Sequence, residues 1–352
     1  MTLTDIAALR LHNQFLLEGL DDPATVVRRL GAVQAQDFTG AKWAVGLRSK
    51  DTTDEAITKL FNEGKILRTH MLRPTWHFVA PEDIRWMQAL TAPRVHVFNR
   101  YYYKKEGLDE ATLRKGTKVL EQSLKGGNHL TRTEVGAVFR GGGIDAGGLK
   151  LACMIMYAEL EAVVCSGALK GKQHTLALVS ERAPEARSLP RERALKEFVT
   201  RYFTAHGPAT VQDLAWWSSL SIADVKHGIE LAGLQPIEVE GKSFYSARQV
   251  RSTVPSPLVH LLPNYDELLI AYKDRSAAGQ VVLDKTPAPT DFFYHFVVLD
   301  GQLVGGWKRK LGKSLTVELT LFMQLSSAQD KALDTAARRL EDFMQLPVEL
   351  KR

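Results

Sequence analysis

Apolar residues recur at three- and four-residue intervals over residues 3–18 and 22–33, and again at about 38–48 and 53–63. That is the period of one face of an α-helix, and Pro23 suits a helix start. The segment "KILRTHMLRPTWHFVA" (65–80) instead reads as two short strands around Arg73-Pro74, followed by a helix over 81–90 with Pro81 in its first turn. The order repeats. Helices are expected near 109–124, 132–139 and 148–163, before the strand pair "GALKGKQHTLALVS" (167–180). Thr131 or Thr133 can cap the second of these, and Glu134 completes a capping-box pattern with Thr131. A third group has helices near 190–206, 210–218 and 221–232, then a hairpin turning at Glu240-Gly241. From about 258 to 322 the chain turns strand-rich, with a hairpin signal at Asp300-Gly301. A terminal helix at 326–343 follows.

Helices followed by a hairpin form the winged-helix plan. The expected fold is therefore α+β: three tandem winged-helix units at 1–93, 94–186 and 187–254, then a barrel-like β region and terminal helix at 255–352. The likeness among the units lies in the order of elements and not in a fixed sequence period, which argues against a solenoid.

Composition narrows the function classes. The chain has 352 residues, 45% hydrophobic and 24% charged, with net charge +6. This balance permits an anionic partner without demanding one. The N-terminus lacks a signal-peptide pattern, and Glu159 and Glu161 break the most apolar run, so no transmembrane span is expected. Cys153 and Cys165 are twelve residues apart, too far to bridge along one helix. A cytoplasmic protein with reduced thiols is expected.

Several chemical signatures fail. "GGGIDA" (141–146) follows a helical segment and not a strand. "GGWKRKLGKS" misses P-loop spacing by one residue and sits between strands. The ten histidines form no metal-ligand set, and no G-x-S-x-G occurs. No lysine stands out as a Schiff-base nucleophile. Neither metals nor nucleotide cofactors are implied. Basic and aromatic residues do cluster at 94–107, where Arg100, Lys104 and Lys105 flank three tyrosines. Such residues can meet phosphates and stack on bases, although half-buried tyrosines among solvating lysines fit the same pattern. Lys170 and Lys172 belong to an expected hairpin tip, and Arg73 to the first hairpin turn.

The segment "GAVQAQDFTG" (31–40) is unusual in another way. Gln34 and Gln36 share a face only if the backbone is extended. Alone, two such amides read as surface or capping groups. Val33, Ala35 and Phe38 beside them suggest a semi-buried site, where amides need partners, and Gly31 and Gly40 allow the helix to unwind. Both amides would then face one cavity.

At "LGAVQAQDFTGAKWAVGLRS" and "LRTHMLRPTWHFVAPEDIRWM" the chain resembles the AlkZ-like bacterial DNA glycosylases. "LLPNYDELLIAYKDR" and "VVLDGQLVGGWKRK" extend the resemblance over nearly the whole chain. It implies three winged helices and a barrel-like region forming a C-shaped DNA-holding scaffold. It also implies a catalytic Gln–apolar–Gln motif, here Gln34 and Gln36, excising N7-alkylated purines from duplex DNA, including bulky adducts and interstrand crosslinks. Asp37 is the alternative base. The resemblance places Thr69 and His70 beside the lesion site, and His12 could face it from the first helix. A monofunctional, monomeric, nucleoid-associated enzyme is expected. Because neither amide titrates, its rate should vary little between about pH 6 and 9. The competing readings are a DNA-binding regulator without catalysis and a toxin-sequestering protein.

Overall fold

A computed structural model describes residues 1–248, 254–279 and 295–351. The chain opens with α1 (Leu3–Asn13), α2 (Pro23–Leu30), β1 (Val33–Gln34), α3 (Phe38–Gly46) and α4 (Asp54–Asn62). The hairpin β2 (Leu67–Met71) and β3 (Thr75–Val79) then pairs with β1 into a three-stranded antiparallel sheet, in the order β1-β3-β2. Local chemistry sets these boundaries. Asp22 accepts from the amides of Ala24 and Thr25, with Pro23 at the first helical position of α2.

The next helix differs from expectation. After a 3-10 turn at Pro81–Asp83, α5 runs from Ile84 to Lys105, 22 residues, with Pro93 inside it. The basic and aromatic cluster is therefore helical, and a continuous helix crosses the 93/94 boundary. There follow α6 (Glu110–Leu124), β4 (Leu130–Thr131), α7 (Arg132–Gly141) and α8 (Gly148–Leu160). β5 (Val164–Ser166), β6 (Thr175–Leu178) and the single turn α9 (Val179–Arg182) close this stretch. Thr131 caps α7, in a reciprocal box with Glu134. The third stretch has α10 (Arg191–Ala205), α11 (Val211–Ser218), α12 (Ile222–Ala232) and the hairpin β7 (Pro236–Val239) and β8 (Lys242–Tyr245).

The C-terminal part contains β9 (Val259–Leu262), the short α13 (Glu267–Ile270), β10 (His295–Leu299), β11 (Gln302–Leu311), β12 (Leu315–Leu321), α14 (Ser327–Met344) and β13 (Val348–Lys351). These strands form one five-stranded sheet, β13-β12-β11-β10-β9, curled into a half-barrel. Residues 292–294 of the strand expected in "FFYHFVVLD" lie outside the described residues. Among the described residues, no helix is long and apolar enough to cross a membrane.

Residues 11–78 and 259–343 share one hydrophobic core, so the two ends of the chain bury their apolar surface against each other. Trp43 donates its indole N–H to the Leu261 carbonyl at 2.7 Å. Deeper in the junction, Arg48 donates through Nη1 and Nη2 to the two carboxylate oxygens of Asp266, each at 2.8 Å, and both side chains are fully buried. The same guanidinium reaches Gln14 Oε1 at 2.7 Å, while Gln14 Nε2 donates to the Glu267 carbonyl and the Tyr272 hydroxyl. Fork-to-fork geometry makes this a strong contact. Removing one partner would leave a buried charge unpaired. Arg48→Met is expected to cost about 3–5 kcal/mol in urea unfolding; a loss below about 1 kcal/mol would show that this junction does not depend on the pair.

Candidate active site

The link between α2 and α3 enters a strand at Val33–Gln34 and bends at Gln36 and Asp37, and both of its ends are fixed. Gly31, at φ +85°, ends α2 in a conformation that side chains resist. Beyond it, Val33 pairs with Phe78 and Gln34 with His77, and the Ala35 amide donates to the Trp76 carbonyl at 2.7 Å. Asp37 then caps α3 by accepting from the Gly40 amide. A Cβ on Gly40 would stand 3.0 Å from both Asp37 Oδ2 and Asn264 Oδ1, so any larger residue would make these side chains give way by a few tenths of an ångström.

The two glutamines occupy different surroundings. Gln34 is buried, 5% exposed, and its Oε1 accepts from Arg73 Nη2 at 2.5 Å. Gln36 is exposed, and its Oε1 meets the Trp76 amide at a long 3.4 Å. Gln36 also lines a cavity of about 610 Å³ with Asp37, Arg68, Trp76, Glu159 and Lys172, whereas Gln34 is not among its lining residues. A single cavity facing both amides is thus not what the fold builds. Arg68 shapes this wall: its Nε donates to the Ala35 carbonyl at 3.0 Å and its guanidinium lies 4.4 Å from the Trp76 ring centre. Burial lowers its pKa to about 10.

Glu267, at the start of α13, is the residue that sequence reasoning missed. Its Oε1 accepts from the Gln34 backbone N–H at 2.7 Å and its Oε2 from the Trp217 indole at 2.9 Å. Burial raises its pKa to about 7, against the opposing pull of those donors and of Arg73. Two amides alone imply a flat pH profile; here a titrating carboxyl sits on the backbone of one of them. His77, across the strands from Gln34, donates Nδ1–H to the Thr75 carbonyl and is held neutral by burial and by Arg73.

The remaining expected residues separate. Asp37 is tied to its cap and to Arg309 Nη2 at 2.9 Å, which occupies the alternative base. Thr69 lies in the cross-strand row with His77 and Gln34 and accepts from Gln88. His70 turns toward α8, donating to Glu159, and lies against Trp76 at 4.3 Å between ring centres. His12 is half-buried on α1, and no hydrogen bond or ring contact described links it to either glutamine. Arg73, expected to meet DNA phosphates, is instead turned inward onto Gln34, because the turn reverses the chain at Leu72 (φ +65°). Arg100, Lys104 and Lys105 are exposed on α5 beside the exposed Phe98, Tyr101 and Tyr102. Lys170 and Lys172 occupy an exposed tip, with Lys170 paired to Glu134 at 3.1 Å. Among the described residues, no three His, Cys, Asp or Glu side chains are grouped to hold a metal.

An α+β chain with a half-barrel at its end and a Gln-Ala-Gln segment leaving a short strand near its start can be compared with known proteins. A family model described as "DNA glycosylase AlkZ-like" matches residues 27–343, and the chain belongs to this family of DNA glycosylases. An "Interstrand DNA cross-link repair glycosylase" of Streptomyces sahachiroi is 23% identical over 334 residues, covering 86% of each protein. The structure of Streptomyces sahachiroi DNA glycosylase AlkZ superposes with a TM-score of 0.79 at 22% identity, covering all of both chains. That likeness establishes a shared fold.

Glu267 yields a linkage prediction. A carboxyl with a raised folded-state pKa adds stability below its unfolded value, and that stability is lost as pH rises through about 7. Urea unfolding should show wild type weakening between about pH 5 and 8 relative to Glu267→Gln, which cannot ionise. Parallel stability curves for the two proteins would contradict this.

Proposed function

We propose that the protein hydrolyses the N-glycosidic bond of N7-alkylated purines in double-stranded DNA, bulky adducts and interstrand crosslinks among them, with Gln34 and Gln36 as the catalytic pair. The observation that supports this most is the strand that ends at Gln34 and bends at Gln36, which holds one amide buried and fixed and the other at the rim of an accessible cavity. A purine alkylated at N7 is already cationic, so its departure yields a neutral base and asks little of a general acid. The remaining tasks are to orient a water near C1′ and to tolerate oxocarbenium character on the sugar. Amides combine acceptor and donors without carrying charge, which suits both tasks.

DNA would be held by the exposed α5 cations Arg100, Lys104 and Lys105 with their neighbouring tyrosines, and by the tip carrying Lys170 and Lys172. On this reading the helix-and-hairpin stretches 1–93, 94–186 and 187–254 act as winged helices beside the β region 255–352, and one chain suffices as a monomer. A crosslinked base cannot be extruded into a closed pocket; a cavity bordered by exposed Gln36 and Lys172 avoids that requirement. The crosslink repair for which the Streptomyces relative is named favours including crosslinks.

The test is single-turnover release of free base from duplex DNA carrying one N7-methylguanine. Wild type should release it, and Gln34→Ala/Gln36→Ala should be slower by at least about 100-fold. Unchanged release in the double variant would discard the site. Duplex binding by wild type without release would overturn hydrolysis of this lesion.

A further inference from the structure

Arg73 belongs to the turn joining β2 to β3, where a basic residue ordinarily projects into solvent. Here its Nη2 lies 2.5 Å from Gln34 Oε1. Its Nη1 is buried with no hydrogen-bond partner among the described residues, and its guanidinium stands 6.0 Å from the centre of the half-exposed Trp216 ring. Burial lowers the Arg73 pKa to about 10 against the attraction of Glu267, so the guanidinium still carries its charge at neutral pH.

The contact fixes more than position. A guanidinium carries only donors, so the amide atom facing Arg73 must be the oxygen, however the two ends of a carboxamide are otherwise assigned. Gln34 Nε2 is therefore directed away from Arg73, and no described residue accepts from it. Gln36 is in the opposite state. Its oxygen has only the long 3.4 Å contact with the Trp76 amide and retains acceptor capacity at the cavity rim.

We propose that Arg73 is a positioning residue that sets the direction of the Gln34 carboxamide, making Gln34 the hydrogen-bond donor of the pair and leaving Gln36 as the acceptor. This rests on the glutamine pair being the catalytic site, as proposed above. Gln36 Oε1 then takes the hydrogen bond from the attacking water, and the Gln34 N–H groups serve an acceptor atom of the substrate. An inverted Gln34 amide would turn N–H groups toward a cation and forfeit both interactions.

The same single-turnover assay distinguishes these roles. Gln34→Glu keeps a partner for Arg73 but replaces the donor by a second acceptor, and should slow base release about 100-fold. Gln36→Glu retains an acceptor and should lose at least tenfold less, roughly the worth of one misplaced hydrogen bond. Arg73→Ala should lower the maximal rate about 10- to 100-fold without weakening duplex binding, and should add less than about 2-fold in a Gln34→Ala background. A readout independent of turnover is the Gln34 side-chain amide signal in the NMR spectrum of the free protein, identified by its loss in Gln34→Glu. Arg73→Ala should shift it, and an unmoved signal overturns the contact. Equal losses in the two Glu variants overturn the assignment, as does an Arg73→Ala loss that is additive and appears as weaker, more salt-sensitive binding; Arg73 would then be a phosphate contact. A Gln34→Ala/Gln36→Ala protein as fast as wild type is a separate failure, of the glutamine site itself.

Discussion

The buried pairing of Arg48 with Asp266 is the constraint on which the rest of the molecule hangs. Arg48 follows α3, the helix that begins just after the Gln-Ala-Gln segment, and Asp266 directly precedes Glu267. Once the guanidinium is seated on both carboxylate oxygens, the neighbouring carboxylate can meet the Gln34 backbone. A buried ion pair is a poor source of net stability, since desolvation offsets most of the attraction. Its value here is register: two fully buried forks accept very few relative placements. The common hydrophobic core of 11–78 and 259–343 supplies adhesion without that directionality.

Within that frame the site separates fixed from adaptable groups. The backbone and carboxamide of Gln34 are held by two different ionisable partners, Glu267 and Arg73. Gln36 has one long backbone contact beside a cavity whose wall is the Arg68–Trp76 stack. A rigid buried amide next to a solvent-facing one suits an enzyme whose substrate arrives with its own positive charge. Little proton transfer to the departing base is then required.

Much of this was legible in the sequence, and the exceptions have physical reasons. Helix starts announced themselves through local chemistry, as in the Thr131–Glu134 box and at Pro23. The strand at Val33–Gln34 followed from flanking glycines and apolar neighbours, whereas the bend at Gln36, which parts the two amides, did not. The length of α5 was not legible, because Pro93 removes one hydrogen bond that the surrounding packing of Leu90, Ala92 and Val95 tolerates. Arg73 read as a phosphate contact because turn residues usually face water, whereas the left-handed Leu72 folds this one back. Glu267 sat in plain view within "NYDELL", where it looks like an acidic first helical turn. Its partner is 233 residues away, and no local pattern encodes such a contact.

That separation has a consequence for synthesis. A nascent chain that has emerged through its first 250 residues already has its glutamines, Arg73 and the basic face of α5 outside the ribosome. It does not yet have the carboxylate that anchors Gln34 or the Asp266 that seats Arg48. The strand carrying the glutamines acquires its anchor only when the last quarter of the protein folds back onto the first, so the site and the finished molecule come into being together.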